Sequence, residues 1–62
     1  MNTDLLREEF RKILDYEKRA ENFYNHYIDQ VDNKEIKEKL ISIRDDETEH
    51  IKIAEKLIDL VS

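Results

Sequence analysis

Apolar side chains recur along the chain at alternating steps of four and three residues, in two runs of eight positions each. The runs are Leu6, Phe10, Ile13, Glu17, Ala20, Tyr24, Tyr27 and Val31, then Ile36, Leu40, Ile43, Glu47, His50, Ala54, Leu57 and Val61. Such steps place every member on one side of an α-helix, as at the a and d positions of a coiled coil. The pattern predicts two amphipathic helices, whose polar exceptions are Glu17, Glu47 and His50.

A single break, at residues 31–36, separates the two helices. Asp32 and Glu35 have the spacing of a capping box, and Val31 and Ile36 have that of a hydrophobic staple around it. These signals predict helix 1 at about residues 4–30 and helix 2 at about 33–61. Because the connection is short, we expect one domain, residues 1–62, folded as an antiparallel helical hairpin.

Further apolar residues widen the hydrophobic stripe beyond the seam of a two-stranded coil. They are Leu14, Tyr16, Phe23, Ile28, Ile51, Ile53, Ile58 and Leu60. A stripe of this width suits a four-helix bundle. One hairpin supplies two helices, so the sequence predicts an all-α homodimer, and the surplus of apolar residues near the end of helix 2 is consistent with a higher oligomer.

Composition narrows the function classes. The 62 residues include 16 acidic and 11 basic side chains and no Gly, Pro or Cys. Without cysteine there is no disulfide, thiolate metal site or cysteine nucleophile. An acidic chain without a basic stripe is a poor nucleic-acid binder, and no apolar run approaches the roughly 18 residues of a membrane span. We therefore expect a cytoplasmic protein, stabilised by a metal or by oligomerisation because small scaffolds usually need such support.

The three polar exceptions in the seams fall in one layer of the predicted hairpin. Counted from the hinge at 1.5 Å per residue, Glu17, Glu47 and His50 all lie roughly 23 to 26 Å from the turn. Buried carboxylates are costly unless they are paired or bind a metal, and no Lys or Arg occupies either seam. The three residues are therefore predicted to ligate a metal. The alternative is a polar layer that sets the register of the helices without metal.

A two-fold axis through this layer would bring together four Glu and two His. Four carboxylates balance two divalent cations, and a ligand set of oxygens with a few imidazoles suits iron or manganese, with zinc or cobalt as substitutes. Tyr24 lies one heptad after Glu17, where its hydroxyl could orient a ligating carboxylate or simply pack in the core. Asp46 could accept a proton from His50 across the interface, or be a solvated surface residue.

Three other polar residues are expected to lie outside the metal site. We expect His26 on the surface, because it has no partner at ligand spacing. Glu21 and Glu49 are expected to be solvent-exposed charges, and either could lie near an ion entry path.

Residues 17–24 (EKRAENFY) and 46–50 (DETEH) resemble one half of the ferritin-like di-iron carboxylate family. The match is to rubrerythrin-type bundles and to encapsulated ferritins, whose short hairpins dimerise, and the layout is similar to designed due ferri hairpin dimers. The resemblance implies a ferritin-like four-helix bundle with two iron ions per dimer, and oxidation of Fe(II) to Fe(III) with oxygen or peroxide. It makes Glu17, Glu47 and His50 both the metal ligands and the catalytic residues.

The resemblance further implies an enclosing protein shell as a partner and a protein compartment as the location. The chain lacks the cysteine pair of complete rubrerythrins. Two other functions stay open from the residues alone, a non-catalytic metal-binding module and a metal-free helical dimerisation module.

Overall fold

A computed structural model of the chain describes residues 2–62 and consists of two long helices. Helix α1 spans Thr3–Gln30 and helix α2 spans Lys34–Leu60. The two helices pack against each other, and residues 2–62 contain no strand. The predicted all-helical hairpin is therefore confirmed. The helix ends differ by at most one residue from the predicted 4–30 and 33–61, while Met1 lies outside the described residues.

An asparagine caps the N-terminus of each helix. Asn2 Oδ1 accepts a hydrogen bond from the Leu5 N–H at 2.8 Å, and Asn33 Oδ1 accepts one from the Ile36 N–H at 2.9 Å. Each cap satisfies one of the backbone N–H groups that the first helical turn leaves without an internal partner. Each helix N-terminus is therefore stabilised by a side chain that is adjacent to it in sequence, without a tertiary contact.

The predicted capping box of Asp32 and Glu35 is wrong. Asn33 ranks with aspartate as an N-cap, and it takes the cap position one residue later. Glu35 then becomes the second helical residue, where its charge still favours the positive end of the helix dipole. The staple predicted for Val31 and Ile36 is wrong for the same reason, since its two positions move onto polar residues.

The hairpin buries little of its apolar surface. Among residues 2–62 only Ile28, at 8% exposure, and Ala54, at 1%, are buried. Large hydrophobic side chains that are at least 40% exposed are Leu5, Ile13, Tyr16, Phe23, Tyr27, Ile36, Ile43, Ile53 and Leu60. A single hairpin therefore leaves most of its large apolar side chains in contact with water.

Most of these exposed side chains form one surface, which we call the open face. It consists of Ile13, Tyr16, Phe23 and Tyr27 of α1 and Ile36, Ile43, Ile53 and Leu60 of α2. At 3.6 residues per turn the α1 members fall within about 80° of one another and the α2 members within about 120°, so each set forms one stripe along its helix. Ile13 precedes Glu17 by four residues and Ile43 precedes Glu47 by four, so in this antiparallel pair both stripes lie on the same side.

Candidate metal centre

The structure brings the three polar seam residues together halfway along the hairpin. Glu17 projects from the middle of α1, and Glu47 and His50 project from the middle of α2, where a spacing of three residues puts them on one helix face. One ligand atom from each residue lies within 4.8 Å of the other two. His50 Nδ1 lies 3.6 Å from Glu17 Oε2 and 3.8 Å from Glu47 Oε2.

These separations suit donors that share one cation. Metal–ligand bonds to carboxylate oxygen and imidazole nitrogen are about 2.0–2.2 Å, so two donors on one ion lie roughly 3 to 4.4 Å apart. Both His50 distances fall within that range. The cluster therefore has the spacing of a coordination sphere with little rearrangement needed.

The two carboxylates are partly buried and the imidazole borders the open face. The Glu17 and Glu47 side chains are 18% and 17% exposed, and the His50 side chain is 53% exposed. Glu47 Oε2 is buried and has no hydrogen-bond partner. An unpartnered buried carboxylate oxygen is costly, so the apo site is destabilised at this atom.

The pKa of the Glu47 carboxyl is raised above its ordinary value. The largest cause is the hydrogen bond that its protonated form makes with Glu17, followed by burial and by the negative charge of Glu17. Asp46 adds a smaller effect in the same direction, and the His50 imidazolium opposes it. With both carboxylates ionised, neither has a hydrogen to donate, so the two negative charges repel each other.

No Lys or Arg neutralises the pair within residues 2–62. Among the described ion pairs, His50 is the partner of both Glu17 and Glu47. Two carboxylates and one imidazole carry the charge and the donor atoms that a divalent cation requires, and the mixture of oxygen with imidazole suits iron, manganese, zinc or cobalt. The residues present therefore fit a metal ion.

Tyr24 and Asp46 lie near the cluster, but neither predicted hydrogen bond is formed within one hairpin. Tyr24 is half-buried one heptad after Glu17, and its hydroxyl makes no hydrogen bond to another described residue. Asp46 is exposed and acts on Glu47 through its charge. A hydrogen bond from His50 to Asp46 of a second copy stays a prediction, as does an orienting role for Tyr24.

The sequence pattern missed the neighbours of the cluster on its closed side. Glu21 was expected in solvent, but it is half-buried and accepts a hydrogen bond from Thr48 Oγ1 at 2.6 Å, so that prediction is wrong. Glu49 and His26 are exposed, as predicted. Heptad spacing places Glu21 beside the seam of α1, but it does not show which side of the seam packs against α2.

The chain was compared with protein-family models, curated proteins and solved structures. No family model, curated protein or solved structure matches it. Within residues 2–62 no helix combines the length and the apolar character needed to cross a membrane.

Proposed function

We propose that two hairpins assemble through their open faces into a ferritin-like four-helix bundle that oxidises Fe(II) to Fe(III) with oxygen or peroxide. The observation that carries the proposal is the cluster of Glu17, Glu47 and His50, which has ligand spacing and an unpartnered buried carboxylate oxygen. The cluster borders an apolar surface that a single hairpin leaves in water.

The open face supports a second copy of the chain as the partner. Large contiguous apolar surfaces on soluble proteins usually mark an interaction site. His50, which is 53% exposed, lies beside this surface, so a hairpin docked there also shields the cluster from water. A two-fold axis through the layer of Glu17 and Glu47 places a second set of ligands at the same height.

The doubled cluster matches the charge of two divalent cations. Two carboxylates from each of two chains carry four negative charges, and the two His50 imidazoles add neutral nitrogen ligands. Glu17 and Glu47 would hold the two ions through carboxylate oxygens, and His50 would supply one nitrogen ligand from each chain. Bundle cores of facing helices are a common location for such sites.

The proposed reaction balances with iron as the substrate. Two Fe(II) ions each give up one electron, and the two electrons with two protons convert O2 to hydrogen peroxide, or hydrogen peroxide to two water molecules. The protein provides the ligand geometry, a low-dielectric layer and negative charge, which favours the more highly charged Fe(III) product.

Iron oxidation under air tests this function. Fe(II) added anaerobically to the purified protein and then exposed to air should be oxidised faster than Fe(II) in buffer, as followed by the absorbance of Fe(III). Glu17→Gln should reduce the rate to that of buffer, because it removes a ligand. Glu49→Gln is the control, since Glu49 is exposed and pairs with Lys52 at 3.2 Å.

The same assay separates the proposal from the non-catalytic alternative. Saturable metal binding without accelerated oxidation would indicate a metal that only holds the bundle together. If the parent protein neither binds metal nor oxidises iron, the result would favour the alternative of a metal-free dimerisation module.

A further inference from the structure

Two side-chain hydrogen bonds join α1 to α2 on the closed side of the hairpin, away from the open face. Thr48 Oγ1 donates to Glu21 Oε2 at 2.6 Å, and Arg44 Nη1 donates to Asn25 Oδ1 at 2.8 Å. Both contacts are partly buried. They connect residues 27 and 19 positions apart in sequence, so each restrains one helix relative to the other.

The Thr48–Glu21 hydrogen bond is formed by residues that neighbour the ligands along both helices. Glu21 follows Glu17 by one helical turn, on the adjacent part of the same face. Thr48 is the residue after Glu47 and lies two residues before His50. Because Thr48, Glu47 and His50 belong to one continuous helix, a rotation of α2 that breaks this hydrogen bond also changes the positions of both ligands relative to Glu17.

The cluster needs such a restraint because its own charges oppose it. Glu17 and Glu47 are like charges in a partly buried layer, and no Lys or Arg pairs with either within the described chain. Their repulsion favours a separation of the helices at this height. A short hydrogen bond to an ionised carboxylate is among the stronger kinds, and here it acts across the same two helices.

We propose that Thr48 and Glu21 are positioning residues that hold α2 at the rotation and register at which Glu47 and His50 meet Glu17. Neither residue touches the metal; the hydroxyl and its acceptor set the ligand geometry before metal arrives. This inference rests on the proposed function for its metal-binding test, and on the contacts of the apo hairpin for its structural test.

Four substitutions isolate the hydrogen bond from charge and volume. Thr48→Val keeps the branched shape and removes the hydroxyl, whereas Thr48→Ser keeps the hydroxyl. Glu21→Ala removes the acceptor, whereas Glu21→Gln retains an acceptor oxygen without the charge. Co(II) binding, followed by its visible absorption spectrum, should weaken about 10- to 100-fold with a changed spectrum in Thr48→Val and Glu21→Ala, the range typical of residues that orient ligands.

The two conservative variants decide the mechanism. Thr48→Ser should bind Co(II) within about threefold of the parent and reproduce its spectrum, since it retains the donor. Glu21→Gln keeps an acceptor but loses the charge that strengthens the bond, so its affinity should fall between those of the parent and Glu21→Ala. If Glu21→Gln is as weak as Glu21→Ala, the charge of Glu21 rather than its hydrogen bond matters and the proposal is overturned. A Thr48→Val protein with parental affinity and spectrum overturns it as well.

Asn25→Ala controls for general loss of stability. It breaks the other cross-helix hydrogen bond, two turns from Glu17, and should lower the melting temperature while leaving Co(II) affinity and spectrum unchanged. Equal weakening of Co(II) binding in Asn25→Ala and Thr48→Val would show that any loosening of the hairpin suffices, which contradicts a positioning role.

A metal-free readout keeps this inference separate from the proposed function. In the apo parent, nuclear Overhauser effects between the His50 ring and the Glu17 side chain should report their proximity, given the 3.6 Å between Nδ1 and Oε2. The effects should persist in Thr48→Ser and weaken in Thr48→Val. A parent that binds no Co(II) overturns the proposed function, whereas unchanged effects in Thr48→Val overturn the positioning role.

Discussion

Replacing Glu47 by glutamine should weaken metal binding and stabilise the apo protein at the same time. The amide keeps the shape of the side chain but removes its charge and supplies hydrogen-bond donors. In the parent, Glu47 Oε2 is buried without a partner and faces the Glu17 carboxylate. In Glu47→Gln the new N–H group can donate to Glu17, so the charge repulsion and the unpartnered atom are both removed.

The size of the effect follows from these contacts. A buried polar atom without a partner costs about 1–3 kcal/mol, so relief of most of that cost should raise the apo free energy of unfolding by about 1–2 kcal/mol. In a chain of this size 1 kcal/mol corresponds to about 4–8 °C, so the apo melting temperature should rise by about 4–16 °C. The variant also loses one ligand per metal, so Co(II) affinity should fall by more than about 100-fold, the upper range for residues that only orient ligands.

Circular dichroism with excess chelator measures the apo stability, at one protein concentration because a dimer's melting temperature depends on concentration. Glu49→Gln is the matched control, with the same change two residues away on an exposed side chain, and should alter neither quantity. Apo Glu47→Gln that is less stable than the parent by more than about 1 kcal/mol would contradict the unpartnered state of Glu47. Parental Co(II) affinity would contradict its role as a ligand.

Three further predictions test the interface, the titration and the caps. If two hairpins dock through the open face, the parent should sediment as a dimer and Ile43→Glu as a monomer, because the substitution places a charge in that face; a stable Ile43→Glu dimer would contradict docking there. Apo stability should fall as the pH rises above 4.5, because the raised pKa of Glu47 means that the folded state holds this proton more tightly than the unfolded state does. Thermal unfolding in the presence of chelator at several pH values measures this fall, and Glu47→Gln should remove the contribution of Glu47. Asn33→Ala should lower the free energy of unfolding, measured with denaturant, by about 1 kcal/mol, and Asp32→Ala should lower it much less. A larger loss in Asp32→Ala would show that Asp32 is the cap instead.

The hairpin and the proximity of its three polar seam residues were predictable because both follow from residue spacings along the sequence. Steps of three and four fix a helix face, and a short turn fixes which positions lie at the same height. Glu17 and Glu47 are 30 residues apart with the turn midway, so any antiparallel pairing with that turn brings them together.

The rotation of the helices about their own axes was not predictable in the same way. The heptad positions span a wider arc of each helix than one partner helix covers, so Ile13 and Tyr27 remain exposed in the hairpin. Which flank closes against α2 depends on packing of whole side chains, and this is why Glu21 was misplaced. Asp32 and Asn33 are adjacent, comparably good caps, so sequence preference alone could not choose between them.

The number of metal ions per assembled protein tests the central claim most directly. Titration of the parent with Co(II), read by native mass spectrometry, gives the assembly and its metal content in one spectrum. The account predicts a species of twice the 7.6 kDa chain mass that saturates at two ions, one for each set of Glu17, Glu47 and His50. Saturation at one ion per dimer, or a 7.6 kDa monomer that binds none, would contradict it.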